Sequence, residues 1–411
     1  MDAFATLSRR GFVKQTTDAA ALNRLLDEAP VTFYLGIDPT GPSLHAGHLV
    51  GLLAMAHLQR AGHRPVLLIG GATARVGDPS DKDEMRPLLP LETVARNAEL
   101  MQRQVGRFID LERTTVVDNA EWFADLGYLD FLRDIGRHFS VNRMLGFEAY
   151  RRRLETGLSF LEFNYLLLQA YDFLVLQRRH GCLLQIGGDD QWANILAGVD
   201  LIRRVERVEA HALTWPLVTT ADGNKMGKTA AGALFLDPSR VSPYQFYQYW
   251  INVPDADVAK LLALLTLLPD AEVAELSALR DRAVGKAKQC LAMELTGMVH
   301  GRGEAERARE ASQALFAGGG GDTAAMPSAE LPVELGASAP LVELFASSAL
   351  CSSKSEARRL IEQGGAWLDG TVRTDAYEEI SLTGGDELVL RAGKKRFFCF
   401  RPRLQKQPGG R

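Results

Sequence analysis

The chain has few cysteines and no long apolar run free of polar groups. Only 4 cysteines occur in 411 residues, at positions 182, 290, 351 and 399, and no two form a CxxC pair. This spacing argues against a zinc ribbon and a disulfide framework, and it favours a reducing cytoplasm. The longest stretch without Asp, Glu, Lys or Arg, residues 39–59, contains three histidines, so no membrane span is expected. The N-terminal segment MDAFATLSRRGFVKQ lacks the apolar core of a secretory signal.

Charge of either sign is not in large excess. Lys and Arg number 47 against 51 Asp and Glu, and 46% of the chain is hydrophobic, which is enough for a substantial core. Residues 340–411 hold 12 Lys and Arg against 9 Asp and Glu, a net of +3 on a chain whose net charge is -4. This basic end indicates either a polyanionic partner or a solvated surface.

Apolar runs alternate with helical patterns in the first half of the chain. Runs near 31–37, 66–71, 114–119, 182–188 and 212–219 are typical of buried parallel strands. They predict an α/β fold with a doubly wound, Rossmann-like parallel sheet. The expected domains are a catalytic domain at 1–229 with a helical insertion at about 120–180, a helical domain at 230–316, a flexible Gly-rich linker at 317–340, and a small α+β module at 341–411.

The segment PTGPSLHAGH (39–48) stands between the first predicted strand and a helix. A helix N-terminus has unpaired N–H groups and partial positive charge, which suit phosphate. His45 and His48 are three residues apart and share a helical face, from which neutral imidazoles can donate to phosphate oxygens. Gly47 leaves space for a flat ring. A metal pair or two surface histidines are the alternatives, and metal is disfavoured because further ligands would be needed.

A second basic motif, KMGKT (225–229), follows the last predicted strand of the sheet. Lys225 and Lys228 can both reach a triphosphate, where they would act as point charges. Taken alone, such a pair is more typical of a solvated loop.

With both motifs in this order, the chain resembles the class I aminoacyl-tRNA synthetases, whose signatures are HIGH and KMSKS. Within that class it is similar to the bacterial tyrosyl enzymes, through YLGIDPTGPSLHAGH, GGATARVGDPS, FLEFNYLLLQAYDF, LQIGGDDQW and ADGNKMGKT. Ala46 replaces the consensus Ile, and Gly227 replaces the Ser of KMSKS. The resemblance implies a tyrosine-tRNA ligase. Such an enzyme activates L-tyrosine with ATP to tyrosyl-adenylate and pyrophosphate, then transfers tyrosyl to the 3′-terminal adenosine of tyrosine tRNA.

Polar side chains also interrupt an apolar helix predicted from Leu158 to Gln177. Tyr165, Gln169 and Asp172 are spaced i, i+4 and i+7 and therefore share one face. Buried polar groups need partners, because each unpaired group costs about 1–3 kcal/mol. Either a neighbouring helix or a ligand with an ammonium at one end and a phenol at the other would supply them.

The resemblance also implies roles for individual residues, partners and a compartment. The catalytic set is Thr40, His45, His48, Lys82, Arg86, Lys225 and Lys228; the tyrosine-binding set is Tyr34, Asp78, Tyr165, Gln169, Asp172 and Gln191; the ATP-binding set is Gly36, Asp38, Gly47, Gly188, Asp190 and Lys228. Mg²⁺ is expected to arrive with ATP rather than in a metal site of the protein. A cytoplasmic homodimer that binds no DNA and no membrane is expected.

The C-terminal module resembles the RNA-binding domain of ribosomal protein S four. Lys354 and Arg358 lie i and i+4 on one predicted helix, and Lys394, Lys395 and Arg396 form the last hairpin turn; all five are expected to face an RNA backbone. The run at 151–153, three arginines, is expected to be solvated.

Three other functions fit parts of the pattern. A tryptophanyl-tRNA synthetase shares the fold and signatures, but Asp172 and Tyr34 favour a substrate with a hydroxyl. A nucleotidyltransferase of the HxGH type lacks the lysine motif and the RNA module. A non-enzymatic RNA-binding paralogue would be expected to have lost one of the motif residues, all of which are present: His45, His48, Lys225 and Lys228.

Overall fold

The computed structural model describes residues 2–80, 89–219, 226–229, 232–316, 328–348, 350–383, 387–393 and 396–402. The chain forms two compact units. The first comprises Met1–Lys228, Ala233–Asp237 and Val253–Ala287, and the second Thr229–Gly232, Pro238–Asn252 and Lys288–Arg411. No helix in the described ranges is both long and apolar enough to cross a membrane. None of the four cysteines, all of which lie in the described ranges, forms a disulfide.

Helices follow the predicted order along the described chain. They are α1 (Ala3–Arg10), α2 (Ala19–Glu28), α3 (Leu49–Arg60), α4 (Leu91–Val105), α5 (Ala120–Phe123), α6 (Tyr128–Asp134), α7 (Val141–Leu145), α8 (Glu148–Thr156), α9 (Phe160–Phe163), α10 (Tyr165–His180), α11 (Trp192–Val205), α12 (Pro243–Ile251), α13 (Val258–Leu265), α14 (Asp270–Ala278), α15 (Val284–His300), α16 (Arg302–Phe316), α17 (Leu341–Ser347) and α18 (Lys354–Glu362).

Strands form one large sheet and three smaller ones. They are β1 (Gln15–Thr16), β2 (Thr32–Ile37), β3 (Arg64–Ile69), β4 (Thr115–Asp118), β5 (Leu184–Gly188), β6 (His211–Trp215), β7 (Lys228–Thr229), β8 (Gly232–Ala233), β9 (Ser328–Glu330), β10 (Ser338–Pro340), β11 (Ala366–Leu368), β12 (Thr371–Arg373), β13 (Glu379–Ser381), β14 (Leu388–Ala392) and β15 (Arg396–Arg401).

The large sheet has the order β1-β6-β5-β2-β3-β4. Its five long strands are parallel, and β1 pairs antiparallel with β6 at the edge. Strands β5 and β6 are buried at every residue, as expected for strands covered by helices on both faces. The predicted doubly wound α/β fold is therefore confirmed. The carboxyl ends of β2, β3, β4 and β5 meet at one edge, which is where such sheets bind ligands.

The apolar helix predicted from Leu158 to Gln177 is in fact two helices that meet at Asn164. Ser159 and Glu162 form a capping box that starts the short helix α9. The Asn164 side chain donates to the carbonyl of Phe160 at 2.7 Å, so α9 ends there and α10 begins at Tyr165. Because of this break, Tyr165, the first polar residue of the predicted stripe, is the first residue of α10.

The expected solvation of the arginine run holds for two of its three residues. Arg151 and Arg152 are exposed and pair with Glu148. Arg153 is buried, with only 3% of its side chain exposed, and donates to the equally buried Glu162 at 2.7 Å. The expectation was wrong for Arg153 because Glu162, in the capping box of α9, supplies a buried partner for its guanidinium.

The second unit contains a small α+β module. Strands β12-β11-β14-β15-β9 form its main sheet, and β10 pairs with β13. Its core includes Leu341, Phe345, Ile361, Leu390 and Phe400. Asp369 and Gly370 have φ angles of 47° and 79°, which is the geometry of a two-residue hairpin turn between β11 and β12.

Part of the predicted linker belongs to this module. Residues 317–327 lie outside the described residues, but β9 pairs in parallel with β15 and β10 pairs with β13. Ordered structure therefore starts by Ser328, before the expected boundary at residue 341.

Candidate active site

A cleft of about 550 Å³ lies at the carboxyl edge of the large sheet. It is lined by residues that the sequence placed in one site: Tyr34, Gly36, Asp38, Thr40, His45, Gly47, His48, Asp78, Tyr165, Gln169, Asp172, Gly188, Asp190 and Gln191. Lys82, Arg86 and Lys225 lie outside the described residues. Lys228 begins β7, of which the backbone is described.

Asp172 and Tyr34 form the deep end of the cleft. Asp172 is 2% exposed and accepts from Trp122 Nε1 at 2.8 Å and from Asn119 Nδ2 at 3.1 Å. Burial raises the pKa of the Asp172 carboxyl well above its usual value, although these two hydrogen bonds lower it. Burial and the nearby charge of Asp172 also raise the pKa of the Tyr34 phenol.

Two buried polar atoms at this end have no hydrogen-bond partner among the described residues. They are the Tyr34 hydroxyl oxygen and the Gln185 side-chain oxygen, of which the second can only accept. Tyr34 and Gln185 are register partners on the adjacent strands β2 and β5, and both line the cleft. Such orphaned groups are costly unless a ligand pairs with them.

Carboxylates surround the middle of the cleft. Tyr165 Oη donates to Asp38 Oδ2 at 2.8 Å, and burial followed by the charges of Asp38 and Asp78 raises the pKa of Tyr165. Asp78 is 8% exposed and accepts from Gln191 Nε2 at 2.7 Å. Two acidic side chains beside a phenol make this part of the cleft suited to a cation.

Gln191 and Asn194 connect the next residues along the wall. Gln191 Nε2 also donates to Asp190 Oδ2 at 2.8 Å. Asn194 Nδ2 donates to Gln169 Oε1 at 3.1 Å and to Gln191 Oε1 at 3.3 Å. The neighbouring helix α11 therefore supplies a partner for Gln169 of the predicted polar stripe. Trp122 of α5 and Asn119, which precedes α5, supply the partners of Asp172.

The histidine turn, residues 45–48, differs from the predicted helix start. His45 caps a 3₁₀ turn at Ala46–His48, and α3 begins only at Leu49. His45 Nδ1 accepts from the Gly47 amide at 3.1 Å, and His48 Nδ1 accepts from the His45 amide at 3.1 Å. The turn's own amides are thus already bonded, contrary to expectation. In the tautomer in which Nδ1 accepts these bonds, each neutral ring carries its proton on Nε2, and that N–H is the group that would donate to phosphate.

The HAGH and KMGKT motifs lie next to each other at their small residues, Ala46 and Gly227. The Ala46 amide donates to Leu234 O at 2.8 Å, and the Leu234 amide donates to Gly227 O at 2.7 Å. Gly227 has a φ of +80°, and a Cβ added there would lie 2.8 Å from the Ala46 Cβ. Only glycine fits this position without strain, which explains the departure from the consensus serine.

Four residues of the site were missed by sequence reasoning: Thr73, Asn119, Trp122 and Gln185. Thr73 lies in the GGATARVG segment and Asn119 directly follows β4, so their positions after neighbouring strands could have indicated them. Trp122 gave no such signal, because it looks like an ordinary core residue, whereas Gln185 could have been noticed as a polar residue inside the buried strand β5.

The predicted RNA-binding residues lie on the second unit. Lys354 and Arg358 are exposed on α18, and they pair with Glu343 and Glu362 respectively. Arg396 begins β15 and donates to Leu350 O at 2.8 Å. Lys394 and Lys395 lie outside the described residues.

Comparisons with known proteins identify the family. The model of class I tRNA synthetases (W and Y) matches residues 26–317, and the S4 domain model matches residues 341–388. The tyrosine–tRNA ligase of Treponema denticola is 51% identical over 401 residues, covering 96% of this chain and 98% of that protein. The corresponding enzyme of Clostridium tetani is 49% identical, with coverage of 96% and 97%.

A solved structure agrees with this assignment. The C-terminally truncated mitochondrial tyrosyl-tRNA synthetase of Aspergillus nidulans superposes with a TM-score of 0.67 at 29% identity, covering 75% of this chain and 92% of that one. The family model, these relatives and the matching fold lead to one conclusion: the chain belongs to the class I tRNA synthetases, among the tyrosine–tRNA ligases.

Proposed function

We propose that the cleft binds L-tyrosine with its phenol between Tyr34 and Asp172. The observation that carries this assignment is the buried Tyr34 hydroxyl, which has no hydrogen-bond partner in the described chain. A substrate phenol satisfies that hydroxyl and leaves Asp172 with a third partner. Tryptophan has only an N–H to offer at a different position, so the pair favours tyrosine over tryptophan.

The ammonium of tyrosine is proposed to lie near Asp78, Tyr165 and Gln169. Asp78 and Gln169 both present oxygen acceptors to the cleft, and Asp38 adds a second negative charge beside Tyr165. The chain of bonds through Gln191 fixes these acceptors before substrate arrives. This arrangement orients the tyrosine carboxylate away from the acidic wall and toward ATP.

ATP is proposed to lie along the histidine turn and the end of β5. Gly36, Gly47 and Gly188 leave room for the nucleotide, and Asp38 and Asp190 offer acceptors for its hydroxyl and amino groups. Nε2–H of His45 and His48, with Thr40, Lys225 and Lys228, would bind the phosphates; Lys82 and Arg86 are assigned to pyrophosphate. Mg²⁺ is proposed to accompany ATP, since it prefers phosphate oxygens and water.

The reaction needs no protein nucleophile. A carboxylate oxygen of tyrosine attacks the α-phosphorus of ATP, and the bond to the β-phosphate oxygen breaks, releasing pyrophosphate. A hydroxyl of the terminal adenosine of tRNA then attacks the tyrosyl carbonyl, and AMP leaves. The site contributes positioning, and its cationic and N–H donors stabilise the charge that develops on the phosphates.

Amino-acid-dependent exchange of pyrophosphate into ATP tests the assignment. The full chain is assayed with each of the twenty amino acids, and tyrosine is expected to support exchange far above the others. Stronger exchange with tryptophan, or none with tyrosine, contradicts the proposed function.

A homodimer is proposed from the helical insertion. Large apolar side chains are exposed between residues 128 and 161: Tyr128, Leu129, Val141, Leu154, Phe160 and Leu161. Exposed apolar side chains in such number are typical of interfaces. Light scattering on Leu129→Asp and Phe160→Asp should show monomers. Leu91→Asp changes another highly exposed leucine, outside the insertion, and should stay dimeric. Monomeric wild-type protein contradicts the proposal.

The S4 module is proposed to bind tRNA through Lys354, Arg358, Lys394, Lys395 and Arg396. Lys354 and Arg358 lie on one exposed helix face, and their ion pairs are of the weak surface type that a phosphate can displace. Because tRNA is charged where proteins are made, we place the enzyme in the cytoplasm.

A further inference from the structure

Asp189 is the first residue of the short turn that carries Asp190 at the cleft. The turn is a 3₁₀ helix at Asp189–Gln191, directly after β5. Asp190 and Gln191 line the cleft, whereas Asp189 is not among the described residues of its wall. Of these two consecutive aspartates, Asp190 can therefore contact a ligand, and Asp189 can act on a ligand only through its neighbours.

Two donors from neighbouring strands bond to one oxygen of Asp189. Gln15 Nε2 donates to Asp189 Oδ1 at 2.6 Å, and Thr214 Oγ1 donates to the same oxygen at 3.1 Å. A carboxylate can only accept, so the amide nitrogen of Gln15 and the hydroxyl hydrogen of Thr214 both point at Asp189. Hydrogen bonds to a carboxylate are stronger than those between neutral groups, so together they hold this side chain in one orientation.

The edge of the large sheet brings these three side chains together. Gln15 and Thr214 are register partners on the antiparallel strands β1 and β6. Strand β6 in turn pairs with β5, which leads into the turn. Thr214 is fully buried, with 0% exposure. The short edge strand β1 thus anchors the first residue of the turn to the sheet.

The position of Asp190 depends closely on this turn. A Cβ added at Gly188 would lie 2.4 Å from Asp190 Oδ1, so the carboxylate lies against the glycine backbone. Gln191, which donates to Asp190, also donates to Asp78 and accepts from Asn194. The last residue of the turn is therefore held from the tyrosine side of the cleft, and its first residue is held from β1 and β6.

We propose that Asp189, bonded by Gln15 and Thr214, is a positioning residue that holds Asp190 against the ribose of ATP. This inference rests on the proposed function of the cleft, in which Asp190 accepts from hydroxyl groups of ATP. Loss of either donor loosens the first residue of the turn, and Asp190 then no longer lies at a fixed distance from the nucleotide. Tyrosine binding is affected less, because Gln191 keeps its own partners.

Deoxyribose analogues of ATP isolate the ribose contact. 2′-Deoxy-ATP and 3′-deoxy-ATP carry the same base and triphosphate as ATP. The ratio of kcat/KM for ATP to that for an analogue therefore reports on the contact to the missing hydroxyl. It is measured in tyrosine-dependent pyrophosphate exchange, with the analogue that the wild type uses less well.

Gln15→Met and Thr214→Val each remove one donor and nearly keep the shape of the side chain. Each is expected to lower the ratio about tenfold, the effect of one hydrogen bond, and to leave the KM for tyrosine unchanged. Asp189→Asn keeps an oxygen that can accept both bonds, so its ratio is expected to stay within about threefold of the wild type. Thr16→Val alters the other residue of β1, whose side chain lies on the opposite face, and is the matched control.

A double-mutant cycle tests whether the effect of Gln15 passes through Asp189. Asp189→Ala is expected to lower the ratio, and Gln15→Met added to it should lower the ratio little further. Multiplying effects, or wild-type ratios in both Gln15→Met and Thr214→Val, overturn the inference. If Asp189→Ala does not fold, as judged by thermal unfolding, Gln15→Met against Thr16→Val decides alone. If the wild type uses both analogues as well as ATP, the proposed contact of Asp190 is wrong instead, so the two failures are distinct.

Discussion

The cleft and the C-terminal module differ in how far their charged side chains are exposed to solvent. Asp172 is 2% exposed and bonded to two donors, whereas the side chains of Lys354 and Arg358 are 68% and 54% exposed in ion pairs. A buried polar group is costly to leave without a hydrogen-bond partner, so buried groups discriminate between ligands that can and cannot pair with them. Exposed pairs are worth little and are screened by salt, so their cations are suited to a polyanion and do not distinguish among small molecules.

The largest effect expected from this difference is rejection of phenylalanine. Without a phenol, the Tyr34 hydroxyl stays unpaired, so exchange should favour tyrosine over phenylalanine by about 10⁵ in kcat/KM; that magnitude is taken over from tyrosyl enzymes themselves rather than calculated from this structure. The two kcat/KM values are measured by pyrophosphate exchange. Similar values for both amino acids would mean that the buried end of the cleft does not discriminate.

Lys228→Ala tests the proposed phosphate contact within the first unit. The lysine is proposed to contact phosphate as charge develops, so the single-turnover rate of adenylate formation should fall about 10²–10³-fold. Tyrosine affinity without ATP should barely change, as measured by equilibrium dialysis. A collapse of that affinity with a normal rate at saturation contradicts the role. Lys260→Ala, an exposed lysine of the same unit, serves as the control.

Removal of the C-terminal module should separate activation from charging. The proposed tyrosine and ATP residues all precede residue 229, so residues 1–320 should keep tyrosine-dependent exchange. Charging of tRNA should fall by orders of magnitude because the basic side chains proposed to bind its phosphates are removed with the module. Exchange and charging are compared with the full chain. Undiminished charging would show that the module is not the tRNA anchor.

Replacing Lys354 and Arg358 by alanine should have the smallest effect. Each cation that no longer neutralises a phosphate reduces the slope of log affinity against log salt by about 0.7–0.9, so tRNA binding should become less salt-dependent while exchange is unchanged. Filter binding at several salt concentrations measures the slope. Arg307→Ala, another exposed arginine in an ion pair, is the matched control and should leave the slope unaltered.

Hydrophobic periodicity and turn residues were enough to predict the parallel sheet, because strands covered by helices on both faces appear in the sequence as continuous apolar runs, such as β5. They also brought Tyr165, Gln169 and Asp172 to one face. They did not predict the break at Asn164, which depends on a capping box inside an otherwise apolar stretch. They also failed at the histidine turn, where both rings bond to the backbone, and at Asn119, whose place after a strand is equally typical of a turn.

The close approach of Gly227 to Ala46 limits how the two signatures can change. Introducing the consensus serine at 227 would add a side chain at a left-handed residue and press it against Ala46. Replacing KMGKT by the KMSKS segment of another class I enzyme would therefore cause a steric clash with Ala46 of the histidine motif. Anyone building chimaeras, or directing the evolution of a new amino-acid specificity on this scaffold, should transplant the two segments together as a single unit.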